Sequence, residues 1–134
     1  MLHIPLVGDL QLLTDLISVW ANTLVIHLFQ NNYTPVDGTV VGDFVEATFD
    51  GYGSQGVSTW GSPTIVGPRG QTQAASNTWT KAAGTNPNLI YGYYILDGAG
   101  NLLWAERDPA APIPMNVAMD TYTITPGFTT RSEF

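Results

Sequence analysis

The chain has 134 residues and a net charge of −7, and only 11% of its residues are charged while 44% are hydrophobic. Its four Lys and Arg residues are too few to replace counterions along a phosphate backbone, which argues against nucleic-acid binding. The absence of Cys excludes disulfides and thiolate metal sites, and no apolar run approaches the roughly 18 residues that span a membrane. The low charge is typical of a surface that a partner covers in part, or of one made of uncharged Thr, Asn and Gly residues.

The first predicted element is a short amphipathic helix over about residues 10–20. Asp9 precedes it as a suitable N-cap, and Asn22 stands where the helix could end. Its apolar face recurs at spacings of three and four residues and consists of Leu10, Leu13, Leu16, Ile17 and Trp20.

Short strands separated by turn residues are predicted for the rest of the chain. Residues 23–30 are almost continuously apolar, as in a strand covered on both faces. Residues 44–49 alternate, which places Phe44 and Glu46 on one face and Ala47 on the other. The strands 89–96 and 102–107 flank a turn at 97–101 and predict a hairpin.

The Pro-rich segment 108–114 predicts an extended arm and no ladder-forming strand. The fold expected is an all-β, jelly-roll-like β-sandwich of about seven or eight short strands with a short N-terminal helix. We expect one β domain over 1–134, in which 1–21 form an arm and the helix and 22–134 form the sandwich.

The acidic residues of the stretch 31–52 could form a catalytic or metal-binding cluster. In the predicted strand Asp43 points away from Glu46, and a long-range carboxylate pair with Asp97, Glu106 or Asp120 stays open. The Gly-rich loops at 37–43 and 97–101 do not fit a twelve-residue calcium loop.

The two histidines, His3 and His27, are too few for a zinc site without carboxylate ligands. His27 shares a strand face with Val25 and Phe29 and is expected to be a core or interface residue. We therefore predict that the protein is not an enzyme and has no catalytic residues, no metal ligands and no cofactor.

Four Trp and six Tyr are many large rings for a small domain. Most are expected in the core or in cross-strand pairs. The others could stack on sugars or form an aromatic-rich protein interface.

Three stretches resemble small virion proteins of tailed bacteriophages and prophages. They are "LVIHLFQNNYTPVDGTVVGDFVEATFDGY", "YGYYILDGAGNLLWAERD" and the closing "YTITPGFT", within residues 22–52, 89–108 and 121–129. The resemblance implies a capsid decoration (cement) protein on the outer surface of the virion. Such proteins are small all-β modules, often homotrimers, that bind neighbouring major capsid proteins of an HK97-type shell.

The segments expected to clamp the capsid are the N-terminal arm with its helix and the Pro-rich arm. The candidate partner-binding residues are Leu2, Ile4, Leu6, Leu10, Leu13, Trp20, Tyr33, Pro35, Pro112, Ile113 and Pro114. Two rival functions remain. One is a head-fibre or tail-tip module that binds host glycans through exposed aromatics, with specificity in 53–88. The other is a small hydrolase that uses a long-range carboxylate pair including Glu46 or Glu106.

Overall fold

A computed structural model describes residues 6–20, 23–57, 59–67 and 69–129. The chain is mostly β, with 39% strand and 10% helix, which confirms an all-β, sandwich-like fold with one short helix. Helix α1 spans Leu6–Trp20 and begins four residues earlier than predicted. The described strands are β1 (Val25–Phe29), β2 (Gln55–Gly56), β3 (Thr64–Val66), β4 (Arg69–Gln73), β5 (Asn77–Thr80), β6 (Asn88–Ile90), β7 (Gly92–Leu96), β8 (Leu102–Arg107), β9 (Ile113–Met115), β10 (Thr121–Ile124) and β11 (Gly127–Thr129).

The chain divides into two compact units. The first comprises Met1–Asn22, Val57–Ser76 and Thr125–Phe134, and the second comprises Thr23–Gly56 and Asn77–Ile124. The single domain over 1–134 stays a prediction. No helix in the described ranges is long and apolar enough to cross a membrane.

In the first unit, α1 packs against a three-stranded antiparallel sheet in the order β11-β4-β3. The helix contributes the completely buried side chain of Leu13. Strand β4 alternates between exposed and buried residues, and Gly70 and Thr72 are its buried positions. Thr72 Oγ1 donates a hydrogen bond to the carbonyl of Gly61 at 2.6 Å, which satisfies the hydroxyl of this buried side chain.

The second unit is built on a four-stranded antiparallel sheet in the order β2-β1-β7-β8. The predicted hairpin is confirmed, since β7 and β8 pair over Gly92–Leu96 and Leu102–Arg107. In the turn, Asp97 Oδ1 accepts hydrogen bonds from the backbone N–H groups of Ala99 and Asn101, both at 2.9 Å. This self-contained turn chemistry explains why the sequence specifies the hairpin locally.

The strand predicted at 44–49 is wrong. This segment makes a single antiparallel bridge, Phe29 with Glu46. Phe44, Ala47 and Phe49 are buried while Glu46 is exposed, so Phe44 breaks the predicted alternation. The reason is that Phe44 stacks on Tyr94, with ring centroids 4.5 Å apart. This ring contact turns Phe44 inward and interrupts the period of two.

The expectation that 108–114 contains no ladder-forming strand is also wrong at its C-terminal end. Ile113 pairs with Ile90 and Pro114 with Leu89, in the antiparallel pair of β9 and β6. These two strands form a two-stranded sheet, so β9 is an edge strand. Pro is tolerated in such strands because one side of the backbone needs no ladder donor.

The second unit also contains an ion pair between a buried lysine and a half-buried aspartate. Lys81 is 1% exposed, and its Nζ donates to Asp50 Oδ2 at 3.1 Å and to the Ala82 carbonyl at 2.9 Å. Asp50 Oδ2 also accepts a hydrogen bond from the backbone N–H of Asn86 at 2.8 Å. The Asn86 hydrogen bond, followed by the Lys81 ammonium, lowers the pKa of Asp50. Together these contacts join two loops that are distant in sequence, the one that contains Asp50 and the one between β5 and β6.

We expect Asp50→Asn to lower Tm more than Lys81→Met does. Asp50→Asn leaves the buried Lys81 ammonium without its ion-pair partner, whereas Lys81→Met replaces the cation by an apolar chain of similar length. Thermal unfolding at neutral pH compares the two variants, with Asp37→Asn, a change of an exposed acid, as the control. A larger loss for Lys81→Met would contradict the prediction.

The same pair predicts a pH dependence. Because the folded-state pKa of Asp50 is lowered, the contribution of its carboxylate to the free energy of unfolding is complete above the unfolded carboxyl pKa of about 3.9. It is lost as the pH falls from there through the lowered folded value. Asp50→Asn should therefore flatten the acid side of the stability curve.

Candidate interaction surface

Residues 31–45 form a loop, here named the valine loop, whose backbone is fixed by its own side chains. The hydroxyl of Tyr33 and Oγ1 of Thr39 share a hydrogen bond at 2.8 Å, and Thr39 Oγ1 also accepts from the Val36 N–H at 2.8 Å. Asp43 Oδ2 accepts from the Val40 N–H at 2.9 Å. Such side-chain bonds to nearby backbone groups specify a turn without a sheet ladder.

Asn31 fixes the base of the loop. Its Nδ2 donates to the Asp43 carbonyl at 2.9 Å, and its Oδ1 accepts from the Val45 N–H at 2.8 Å. One amide side chain therefore bonds to two backbone groups on the returning side of the loop. The start and the end of the valine loop are held together as a result.

Arg107 attaches the valine loop to the end of β8. Its Nη1 donates to Asn32 Oδ1 at 2.7 Å and to the Tyr33 carbonyl at 3.3 Å. The guanidinium also lies 5.2 Å from the centroid of the Tyr91 ring. On the inner side, the Tyr33 ring meets Phe44 edge to face, with centroids 5.5 Å apart. The loop is thus preorganised against the sheet.

This rigid loop presents aliphatic side chains to solvent. Val36, Val40, Val41 and Val45 are 66%, 60%, 37% and 53% exposed. Exposed apolar side chains on an ordered loop are typical of a protein-binding surface, and preorganisation lowers the entropy lost on binding. The four valines were missed from the sequence, although β-branched residues between turn residues were visible there.

A groove with a volume of about 410 Å³ lies between the valine loop and β8. We name it the edge groove. Most of its lining residues have apolar side chains, but polar atoms contribute the larger part of the lining surface, and Asp37 is its only charged residue. The lining residues are Pro35, Val36, Asp37, Thr39, Leu102, Leu103, Trp104 and Ala105.

His27 lies in a polar cluster on one face of the sheet. Its Nδ1 is 2.6 Å from Glu46 Oε1, and its ring stacks on Tyr94 with centroids 5.0 Å apart. The Tyr52 hydroxyl donates to the same Glu46 oxygen at 2.8 Å and accepts from the Leu28 N–H at 3.1 Å. In the described ranges no Ser or Thr hydroxyl bonds to His27. The cluster joins the 44–49 segment to β1.

Glu46 and Glu106, two carboxylates of the hydrolase hypothesis, are not brought together. Glu46 bonds to His27. His27 in β1 lies opposite Tyr94 in β7, so both side chains are on the same face of the sheet. Glu106 pairs with Tyr93 and accepts its hydroxyl at 2.9 Å. Because adjacent residues of a strand point to opposite faces, Glu46 and Glu106 lie on opposite sides of the sheet.

The Gly-rich loops use their acids as turn caps. The hydrogen bonds from Asn101, by side chain and backbone, lower the pKa of Asp97. In the part of the chain that the structure describes, no group of three or more His, Asp and Glu residues could hold a metal ion.

The predicted partner-binding residues that the structure describes lie on α1, in the valine loop and around β9. Leu2 and Ile4, and the side chains of Leu6 and Trp20, lie outside the described part. Leu10 is half-buried and Leu13 fully buried. Tyr33 and Pro35 lie in the valine loop and are half-buried. Around β9, Pro112 and Pro114 are exposed and Ile113 is half-buried. The structure thus brings Tyr33 and Pro35 together with the exposed valines.

Comparison with known proteins finds no relative. No protein-family model, no curated protein and no solved structure matches this chain.

Proposed function

We propose that the protein is a non-enzymatic structural virion protein that decorates the outer surface of a phage capsid. In this role it binds neighbouring major capsid proteins of an HK97-type shell and stabilises them, as a homotrimer. The observation that carries the proposal is the valine loop, which holds four exposed valines on a fixed backbone. This loop lies in the first of the stretches that resemble virion proteins.

The composition supports the same role. A decorating protein needs uncharged contact area, and a specific interface buries about 1,200–2,000 Å² in total. Only 11% of the residues are charged, and the net charge of −7 disfavours contact with packaged DNA. Both properties suit a position on the outside of the shell.

The glycan-binding alternative has less support. It requires exposed aromatic rings, but the large hydrophobic side chains that are exposed in the described ranges are all aliphatic, including Val36 and Met119. Trp60 and Trp104 are half-buried. A ring that stacks on a sugar has to present its face to solvent.

We expect the double change Val36→Asp and Val40→Asp to weaken binding to capsids at least about tenfold, as loss of an interface hot spot does. Both side chains are exposed, so Tm should change little. Capsids prepared without the protein are mixed with purified wild type or variant, and bound copies are counted by electron cryo-microscopy.

The matched control is Val117→Asp, which changes a valine that is 63% exposed and lies outside the valine loop. It should bind like the wild type. Wild-type copies at regular positions on the shell support decoration, and copies found only on the tail or on fibres would overturn it. Equal loss for the control would show that the valine loop is not the contact.

A further inference from the structure

Strand β8 is an edge strand of the four-stranded sheet in the second unit. It is the outermost strand in the order β2-β1-β7-β8, and no described strand pairs with its other side. Gly92 pairs with Arg107, and the Asp108 N–H donates to the Tyr91 carbonyl at 2.9 Å. In an antiparallel ladder this bond pattern alternates, so the N–H and C=O of Ala105 and Arg107 point away from β7.

The edge lacks two of the devices that usually protect one, a very short strand and Pro, although its pairing with β7 shifts register between Ile95 and Leu96 and it carries the charged residues Glu106 and Arg107. With six residues β8 is the longest described strand, and it contains no Pro. The side chain of Arg107 turns away to bond Asn32 and the Tyr33 carbonyl. The edge groove follows Leu102 to Ala105, with the valine loop as its far wall. Within the described ranges, β8 therefore offers outward-pointing backbone groups beside the apolar side chains of Pro35 and Val36. Backbone groups and side-chain pockets are the two elements by which a sheet edge binds an extended peptide.

The charges of the groove indicate what kind of segment fits. Asp37 is the only charged lining residue, and the exposed Glu106 follows Ala105 along β8. The nearby cation, Arg107, is already bonded to the valine loop. A segment with a basic residue therefore complements the groove, whereas an acidic segment is repelled.

We propose that the edge groove binds an extended segment of a partner protein, which pairs with β8 as an added strand. The segment places aliphatic side chains against Pro35 and Val36 and a Lys or Arg near Asp37. At about 3.4 Å per residue, the four groove residues of β8 pair with roughly 14 Å of chain. This inference rests on the proposed function, because it names how the same surface holds its partner.

A synthetic probe tests the mode of binding without capsids. The probe is an eight-residue peptide of alternating valine and threonine with lysine at both ends. Titration into the labelled protein, followed by backbone amide NMR, should give saturable shifts centred on Ala105 and Arg107. A version that is N-methylated at alternate amides should bind at least tenfold more weakly, because it cannot complete the ladder. A version with glutamate ends should bind at least threefold more weakly.

Two protein variants sharpen the test. Ala105→Pro removes the outward N–H and should weaken the lysine peptide at least tenfold, while Asp37→Asn should weaken it about threefold. Asp15→Asn, a change of an exposed acid on α1, is the control and should have no effect. If Ala105→Pro does not fold, as judged by its amide spectrum, the N-methylated peptide carries the comparison.

The contrary outcomes are distinct. Absence of shifts at β8, or equal binding of the N-methylated peptide, overturns strand addition. Concentration-dependent shifts at β8 without peptide would show that the occupant is a second copy of the chain and overturn the proposed partner. If the peptide does not pair with β8 but the protein still binds capsids, strand addition is overturned and decoration is not. If the peptide pairs with β8 but the protein does not bind capsids, decoration alone is overturned.

Discussion

Gly92→Ala is expected to destabilise the protein by about 3 kcal/mol or to prevent folding. A Cβ at this position would lie 2.1 Å from the Glu106 carbonyl oxygen and 2.8 Å from two ring atoms of Phe29. Gly92 lies in β7, between β1 and β8. The oxygen belongs to the neighbouring strand and cannot move alone, so relief of the contact requires the sheet to shift.

The matched control is Gly42→Ala, because a Cβ at Gly42 would meet nothing within 4 Å. Its free energy of unfolding should stay within about 0.5 kcal/mol of the wild type. Urea unfolding, followed by tryptophan fluorescence, measures both variants. Equal denaturation midpoints for Gly92→Ala and the wild type would contradict the close approach of β8 to this glycine.

The elements that could be predicted from the sequence are those that local chemistry determines. The hairpin of β7 and β8 was predicted because Asp97 and the glycines of its loop are turn residues. The helix was predicted because its apolar spacing is local, although its first turn was not. Neither prediction required knowledge of a distant residue.

The elements that were missed depend on distant partners. Phe44 turns inward because of Tyr94, fifty positions along the chain. Strand β4 was missed because its buried positions, Gly70 and Thr72, are not hydrophobic. Local patterning carries no record of such contacts, and a strand whose buried face is small and polar lacks the alternation that identifies it.

Only a part of the candidate surface could be predicted from the sequence, because the rest also depends on distant residues. The turn around Tyr33 and Pro35 was singled out from its residues, but its rigidity comes from Arg107, which is 75 positions from Asn32. Exposure of the valines also depends on the fold, because a run of β-branched residues usually predicts a buried strand. The valines became candidates for binding only once the backbone that holds them was known.

We expect alkaline pH to destabilise the protein strongly, because four tyrosines have raised pKa values in the folded state. Burial raises the pKa of Tyr94 to about 12. Burial, together with hydrogen bonds to Glu46, Glu106 and Asp108 respectively, raises the pKa of three others still further: Tyr52, Tyr93 and Tyr122. A raised folded-state pKa means that the folded protein binds more protons than the unfolded chain does. The stabilisation is therefore complete below the unfolded pKa of about 10 and is lost as the pH rises through the folded values.

Each of these groups lowers the free energy of unfolding by up to about 1.4 kcal/mol per pH unit above pH 10, so that four together give roughly 5 kcal/mol per unit. Urea unfolding at several pH values measures this slope. Tyr93→Phe is the matched variant, because the lost hydroxyl removes only the donor to the exposed Glu106 and the acceptor for Trp104. It should reduce the slope by about a quarter, and an unchanged slope would show that the Tyr93 hydroxyl titrates equally in the folded and unfolded chain.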